Sequence, residues 1–226
     1  MDFFDLPEKV KVNKVVPKNA FDSFTNSKQK QLFTDLIKRI TWEYKISEAT
    51  TNLPAKEIKE IQVFYVELKE KQEVKGILEI INKAIPYPII FLVNWNNEFY
   101  FSTSTKHPHP INHNISVIDW TFNSEWLPKE NINNFTLPLK KSLDFVYEGF
   151  CFQISGENKL NSTSLAELVE HQERQATLKT AIGQLEKKIK GTKQFNEKLE
   201  LNQELNNLKK ELATIEKGPT EKAEKS

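Results

Sequence analysis

Glu67 and Lys69 come closest to a catalytic pair in this 226-residue sequence, two positions apart at the end of the apolar run Ile61 to Leu68. In metal-dependent phosphodiester hydrolysis, a strand-end carboxylate shares a divalent cation with a second acid while a nearby lysine steadies the attacking water. Glu43, Glu57 and Glu60 are the acids available to complete such a set, with Mg2+ or Mn2+ as the cation. The nearest upstream aspartate, Asp35, falls inside a predicted helix. The same spacing recurs at Glu43-Tyr44-Lys45, so the pattern arises readily where charge is common, and a solvated strand end is the simpler account.

Other chemistry-bearing residues are sparse. His107, His109 and His113 have the composition of an open zinc site. Pro108 and Pro110, however, hold the first two apart, and no carboxylate or thiol lies in the loop, which favours an exposed polar loop and no metal. Cys151, the only cysteine, sits between Phe150 and Phe152 and reads as a buried small hydrophobe. Trp95, Tyr100 and Phe101 beside Lys106 have the makings of a stacking platform for single-stranded nucleic acid, although such aromatics more commonly fill a core. The six glycines are scattered singly, with no phosphate-cradling G-x-x-x-x-G-K loop, and no serine-histidine hydrolase signature occurs. Neither ATP binding nor acyl transfer is expected. A net charge of +1 supplies no global attraction to nucleic acid or anionic lipid.

These residues need elements to hold them. Ile61 to Leu68 is β-branched or aromatic at nearly every step, as in a strand covered on both faces, and alternation sets Val63, Tyr65 and Glu67 against Phe64, Val66 and Leu68. From Val74 the period becomes helical: Val74, Ile77, Leu78, Ile81 and Ile85 share a stripe, and Pro86 ends it. Ile89 to Val93 is a second apolar strand, expected to run parallel to the first. Asn96-Asn97 then supplies a tight turn, and Phe99 to Phe101 returns antiparallel. Upstream, Leu32, Phe33, Leu36, Ile37 and Ile40 recur at helical spacing behind Ser27 as N-cap, and Ile40 to Ile46 alternates as a half-buried strand. The segment from Met1 to Lys18, with Leu6-Pro7 and Val16-Pro17, is expected to lie extended. Lys106 to Asn114 reads as a proline-broken loop. Ile115 to Phe122 reads as a strand with Ile118, Trp120 and Phe122 on one face, and Leu139 to Ile154 as a closing helix.

Past a polar linker at 156–163 the composition changes to Glu, Lys, Gln, Asn and Leu. Leu168, Leu178, Ile182, Leu185 and Ile189 form one apolar seam, and Leu201, Leu205, Leu208, Leu212 and Ile215 another, out of phase with it. An antiparallel hairpin turning at Gly191-Thr192 repairs the mismatch by pairing Ile182 with Leu201, Leu178 with Leu205 and Leu168 with Ile215, in arms of roughly 40 Å. His171 and Gln175 then face Leu212 and Leu208, leaving that end poorly filled. The expected architecture is α+β. A mixed sheet on an α-β-β-α-β-β core with a closing helix occupies 1–155, an antiparallel helical hairpin (coiled coil) occupies 164–217, and 218–226 forms a disordered tail.

Three blocks resemble a bacterial and archaeal family described only as a domain of unknown function, number 4391: E-I-Q-V-F-Y-V-E-L-K at Glu60 to Lys69, I-N-K-A-I-P-Y-P-I-I-F at Ile81 to Phe91, and K-Q-F-N-E-K-L-E-L-N-Q-E-L at Lys193 to Leu205. The resemblance implies a prokaryotic cytoplasmic protein often encoded beside helicase-like proteins and DNA methyltransferases of restriction-modification type. It implies no catalytic residues.

A lone cysteine and the lack of a signal segment or an apolar run of membrane-spanning length also point to the cytoplasm and to no membrane partner. The favoured expectation is a non-catalytic accessory subunit of an antiviral defence system, reaching DNA only indirectly. It would dock to a larger partner, a helicase or DNA methyltransferase, through Leu178, Ile182, Leu185, Leu201, Leu205 and Leu208. Mixed Glu and Lys on the exposed hairpin faces suit protein pairing better than DNA. The alternative is a metal-dependent nuclease of the PD-(D/E)XK-like class, intact or degenerate, centred on Glu67 and Lys69 with Glu43. A third reading, self-association through the hairpin, predicts a homodimer.

Overall fold

The β-branched and aromatic run at Ile61 to Leu68 demands cover on both faces, and the fold supplies it by placing this strand inside a mixed sheet. The computed structural model describes residues 3–112, 115–157 and 164–217, and the chain divides into two units, Met1–Gly156 and Glu157–Ser226. In the first unit the elements run β1 (Lys11–Val15), α1 (Ser27–Leu36), β2 (Ile37–Ser47), α2 (Glu48–Thr51), β3 (Glu60–Leu68), α3 (Lys75–Ala84), β4 (Ile89–Trp95), β5 (Glu98–Pro108), β6 (Ser116–Asn123), β7 (Leu127–Pro128) and α4 (Leu143–Ser155). The sheet order is β1-β2-β3-β4-β5-β6, with β7 also beside β5. Only β3 and β4 are parallel, and α3 connects them. The α-β-β-α-β-β core is present, extended by an edge strand drawn from the N-terminal segment.

Alternation divides the core between the two faces of the sheet. Phe64, Val66 and Leu68 of β3 pack with Phe33 of α1, Ile77, Leu78 and Ile81 of α3, and Phe91 and Val93 of β4. Each of these fully buried side chains contributes about 1.5–3 kcal/mol. On the other face Phe101 of β5 meets Phe4, Phe135 and Phe150, with the Phe101 and Phe150 rings 5.5 Å apart and edge to face. Asp144, in the first turn of α4, locks a distant loop to this face, since its carboxylate accepts the backbone N–H groups of Lys56, Glu57 and Ile58 at 3.0–3.1 Å. Burial opposes ionisation of Asp144, but these amides outweigh it and hold its carboxyl below the ordinary range.

Several boundaries differ from the sequence reading for identifiable reasons. Asn26, not Ser27, caps α1, because its side chain and that of Gln29 form a reciprocal capping box. The loop expected from Lys106 begins three residues later, at His109: β5 continues through His107 to Pro108, which pairs with Ser116 as the last strand residue and so leaves no ladder donor missing within the strand. The β5-β6 register shifts between Thr105 and Lys106, which breaks the expected alternation of Ile118 with Trp120 and Phe122. The closing helix starts at Leu143 rather than Leu139, with Ser142 as N-cap and Lys141 at a φ of 62° just before it.

In the second unit, α5 (Leu165–Gly191) and α6 (Phe195–Lys217) pack together as an antiparallel hairpin. The Ser164 side chain caps α5 by accepting from Glu167 N. Gly191 is the last helical residue rather than a left-handed cap, and Thr192, in an extended conformation, ends the helix while its hydroxyl donates to Lys188 O. The expected linker at 158–163 and the tail at 218–226 lie outside the described residues.

Candidate functional site

Strand β3 carries Glu67 to the end of the sheet, where Arg39 of β2 and Asn94 of β4 lie across from it. Lys38 Nζ stands 3.8 Å from its carboxylate. Glu43, nearly buried at the β2 irregularity, lies on the same side: Tyr65, half-buried between the two acids, has its hydroxyl pKa pushed up to about 12, first by burial and then by the charges of Glu67 and Glu43. Lys69 does not join this group. Its Nζ donates to Thr34 O at 2.7 Å and its backbone N–H to Leu36 O, so it ties down the C-terminal carbonyls of α1. The structure therefore brings the two acids to one tyrosine and directs the lysine elsewhere. Among the described residues, no group of three His, Cys, Asp or Glu side chains converges as metal ligands.

The remaining candidates are dispersed. His107 Nδ1 lies 2.7 Å from Asp119 Oδ1 across β5 and β6. His109 Nδ1 accepts two backbone N–H bonds, from Ile111 and Asn112, and His113 lies outside the described residues. Tyr100 and Phe101 are both buried and, as strand neighbours, point to opposite faces of the sheet, so they form no common stacking surface. Cys151 is fully buried, and burial pushes its thiol pKa well up, which disfavours the nucleophilic thiolate.

One polar cluster carries no motif in the sequence. Lys106 on β5 reaches back to α3, where its Nζ donates to Asn82 O at 2.8 Å, Ile85 O at 2.7 Å and Asn82 Oδ1 at 3.3 Å. Three protons meet three oxygens, and the helix C-terminus gains a cation. Burial nevertheless pulls the Lys106 pKa down to about 7. The available signals were an asparagine within the apolar stripe of α3 and the serines at alternate positions of β5, Ser102 and Ser104, all three buried.

In the hairpin, Ile182, Leu185, Leu201 and Leu205 form one buried cluster, flanked by Ile189, Leu208 and Leu212; Leu178 is also buried. The predicted partner-contacting leucines and isoleucine are thus turned into the hairpin itself. Ion pairs line the seam at Arg174–Glu211, Lys179–Glu216 and Lys209–Glu186. The end predicted to be poorly filled holds a polar knot. His171, Gln172 and Gln175 converge on Oε1 of Glu157 at 2.7, 2.8 and 3.1 Å, and His171 Nε2 lies 3.2 Å from Ile215 O. At the opposite end, Phe195 and Leu199 stand one turn apart on α6, 79% and 52% exposed.

A model of the family described as a domain of unknown function (DUF4391) matches residues 4–212. The chain belongs to that family. No curated protein and no solved structure matches it. The DUF4391 match takes in the whole sheet and most of the hairpin, including the turn before α6 and the exposed Phe195 and Leu199. No helix among the described residues is long and apolar enough to cross a membrane.

Proposed function

We propose that this chain is a non-catalytic interaction subunit of a prokaryotic DNA-processing system of restriction-modification type, working in phage defence. It docks through its helical hairpin to a larger protein, a helicase or DNA methyltransferase. The observation that carries this reading is the exposed pair Phe195 and Leu199 at the hairpin turn, left uncovered while Leu201 and Leu205 of the same helix are buried in the seam. Exposed aromatic and aliphatic side chains on a rigid helix are the usual anchors of a protein interface, and truncating one such anchor costs about 2 kcal/mol or more of binding. Because Leu178, Ile182, Leu185, Leu201, Leu205 and Leu208 hold the two helices together, they support the docking surface rather than form it. The alternative, a nuclease on Glu67 and Lys69 with Glu43, has the two acids on one side of the sheet in its favour and the engagement of Lys69 by Thr34 against it.

The test is affinity purification of the tagged full-length chain from its native host, with mass spectrometry of the proteins retained. A stoichiometric helicase or methyltransferase, lost on Phe195→Ser with Leu199→Ser, is the expected result. Retention by that double variant would refute docking at the turn. Purification of the chain alone, or with only further copies of itself, would refute the subunit reading. Magnesium- or manganese-dependent DNA cleavage abolished by Glu67→Ala would support the nuclease instead.

A further inference from the structure

Between α3 and the β5-β6 edge of the sheet lies a cleft of about 460 Å³, the size that accommodates a small metabolite. Its walls are aliphatic, from Leu78, Val117 and Ile118, and its floor is polar, from Asn82, Ser102, Ser104 and Thr121. The hydrogen bonds behind this floor favour one set of proton directions. Lys106 donates to Asn82 Oδ1, which orients the amide so that Nδ2 donates to Ser104 Oγ at 3.1 Å. Ser104 Oγ lies 2.9 Å from Thr121 Oγ1, a bond in which either hydroxyl can donate; donation from Ser104 is the sense that gives its buried proton a partner. Thr121, an exposed residue that also lines the cleft, then keeps an O–H that it can offer to a ligand there. Ser102 adds a second donor: the residue is 1% exposed and lines the cleft, and among the described residues nothing bonds its hydroxyl. Its Oγ is therefore free to donate into the cleft.

At the mouth two lysines, Lys75 and Lys83, face one carboxylate, Glu79. Lys83 bonds Glu79 at 2.6 Å and Lys75 bonds Glu73 at 2.7 Å; both are surface pairs of small energy that can reorganise around a stronger anion. Floor donors and mouth cations call for the same complement, a ligand rich in acceptor oxygens and negatively charged. We propose that the cleft binds a small sugar phosphate, its hydroxyl oxygens accepting from Ser102 and Thr121 and its phosphate lying between Lys75 and Lys83. The site is independent of the hairpin and of any docking role.

Titration of the full-length chain with ribose 5-phosphate, inorganic phosphate and ribose, followed by calorimetry and by backbone amide NMR shifts, tests this. Ribose 5-phosphate should saturate one site and shift the amides of Ser102 and Thr121, binding more tightly than either fragment. Thr121→Val and Lys83→Gln should each weaken it by about tenfold or more, the value of a hydrogen bond to a charged group. Thr121→Ser should restore it. Lys83 is exposed, so its substitution leaves the fold intact and keeps the test valid if Thr121→Val unfolds. No saturable binding below on the order of 10 mM, or equal binding by wild type and Lys83→Gln, overturns the proposal. Inorganic phosphate binding as tightly as ribose 5-phosphate overturns its sugar half.

Discussion

Both units hold a knot of hydrogen-bonded polar side chains, and the two are wired in opposite senses. In the α+β unit the chain of bonds starts at a lysine and runs outward through Asn82 and Ser104 to Thr121, so that its free end is a donor at a cleft. In the hairpin knot the donors of His171, Gln172 and Gln175 run inward to the Glu157 carboxylate and the Ile215 carbonyl. The first arrangement offers something to a ligand, whereas the second fastens two helices. Direction of donation, more than burial or charge, separates a polar group available for recognition from one that is structural.

The largest effect that bears on this contrast comes from Lys106. Its folded pKa lies near 7 against 10.5 in the open chain, so between those values the unfolded state binds more protons. Stability should therefore rise with pH from about 7 to about 10.5 and level off on either side, by on the order of 5 kcal/mol. Thermal melts across that range check this, and Lys106→Met should remove the slope; a wild-type melting temperature flat over the range would show that its ammonium is held charged throughout.

Smaller is the expected cost of His171→Phe, about 1–3 kcal/mol, since it leaves the buried Glu157 carboxylate and the Ile215 carbonyl short of a donor. The hairpin should fray at the end away from its turn, visible as faster amide exchange around Ile215 with the sheet amides unchanged. Smallest is Lys69→Met. Like Lys106, Lys69 reaches from a β-strand, just past its end, to a helix C-terminus, but from the surface, so losing its bond to Thr34 should lower stability by less than about 1 kcal/mol. A larger loss in denaturant melts would mean that the two lysines act alike.

What the sequence made legible was whatever rests on period. The two-sided strand β3, the stripe of α3, the Asn96-Asn97 turn and the opposed hairpin seams each repeat a spacing that only one kind of element satisfies. The sugar-phosphate cleft was hidden for a physical reason. Ser102 and Ser104 alternate along β5 as solvent-facing residues do, and their burial comes from α3 crossing above them, which no local pattern encodes. Lys106 was hidden similarly: assigned to a proline-broken loop, it had no strand to aim it at α3. The candidate partner residues of the hairpin were legible as apolar but not as to what they touch. A seam that pairs with its own neighbour and a seam that waits for another protein have the same spacing, and among the described residues of the hairpin Phe195 and Leu199 are the large apolar side chains left exposed.

Asp144 gives the chain a timetable. The three amides it receives lie 86 to 88 residues upstream, so the loop at Lys56 to Ile58 emerges from the ribosome long before its acceptor does. At about 5–20 residues per second the wait is roughly 4 to 18 seconds. For its last part, the roughly 36 residues between the end of β5 and Asp144 and so roughly 2 to 7 seconds, β2, β3, β4 and β5 are complete while the face that α4 covers is open, with Phe101 and its neighbours exposed. The nascent sheet is therefore a natural client for a chaperone until α4 arrives.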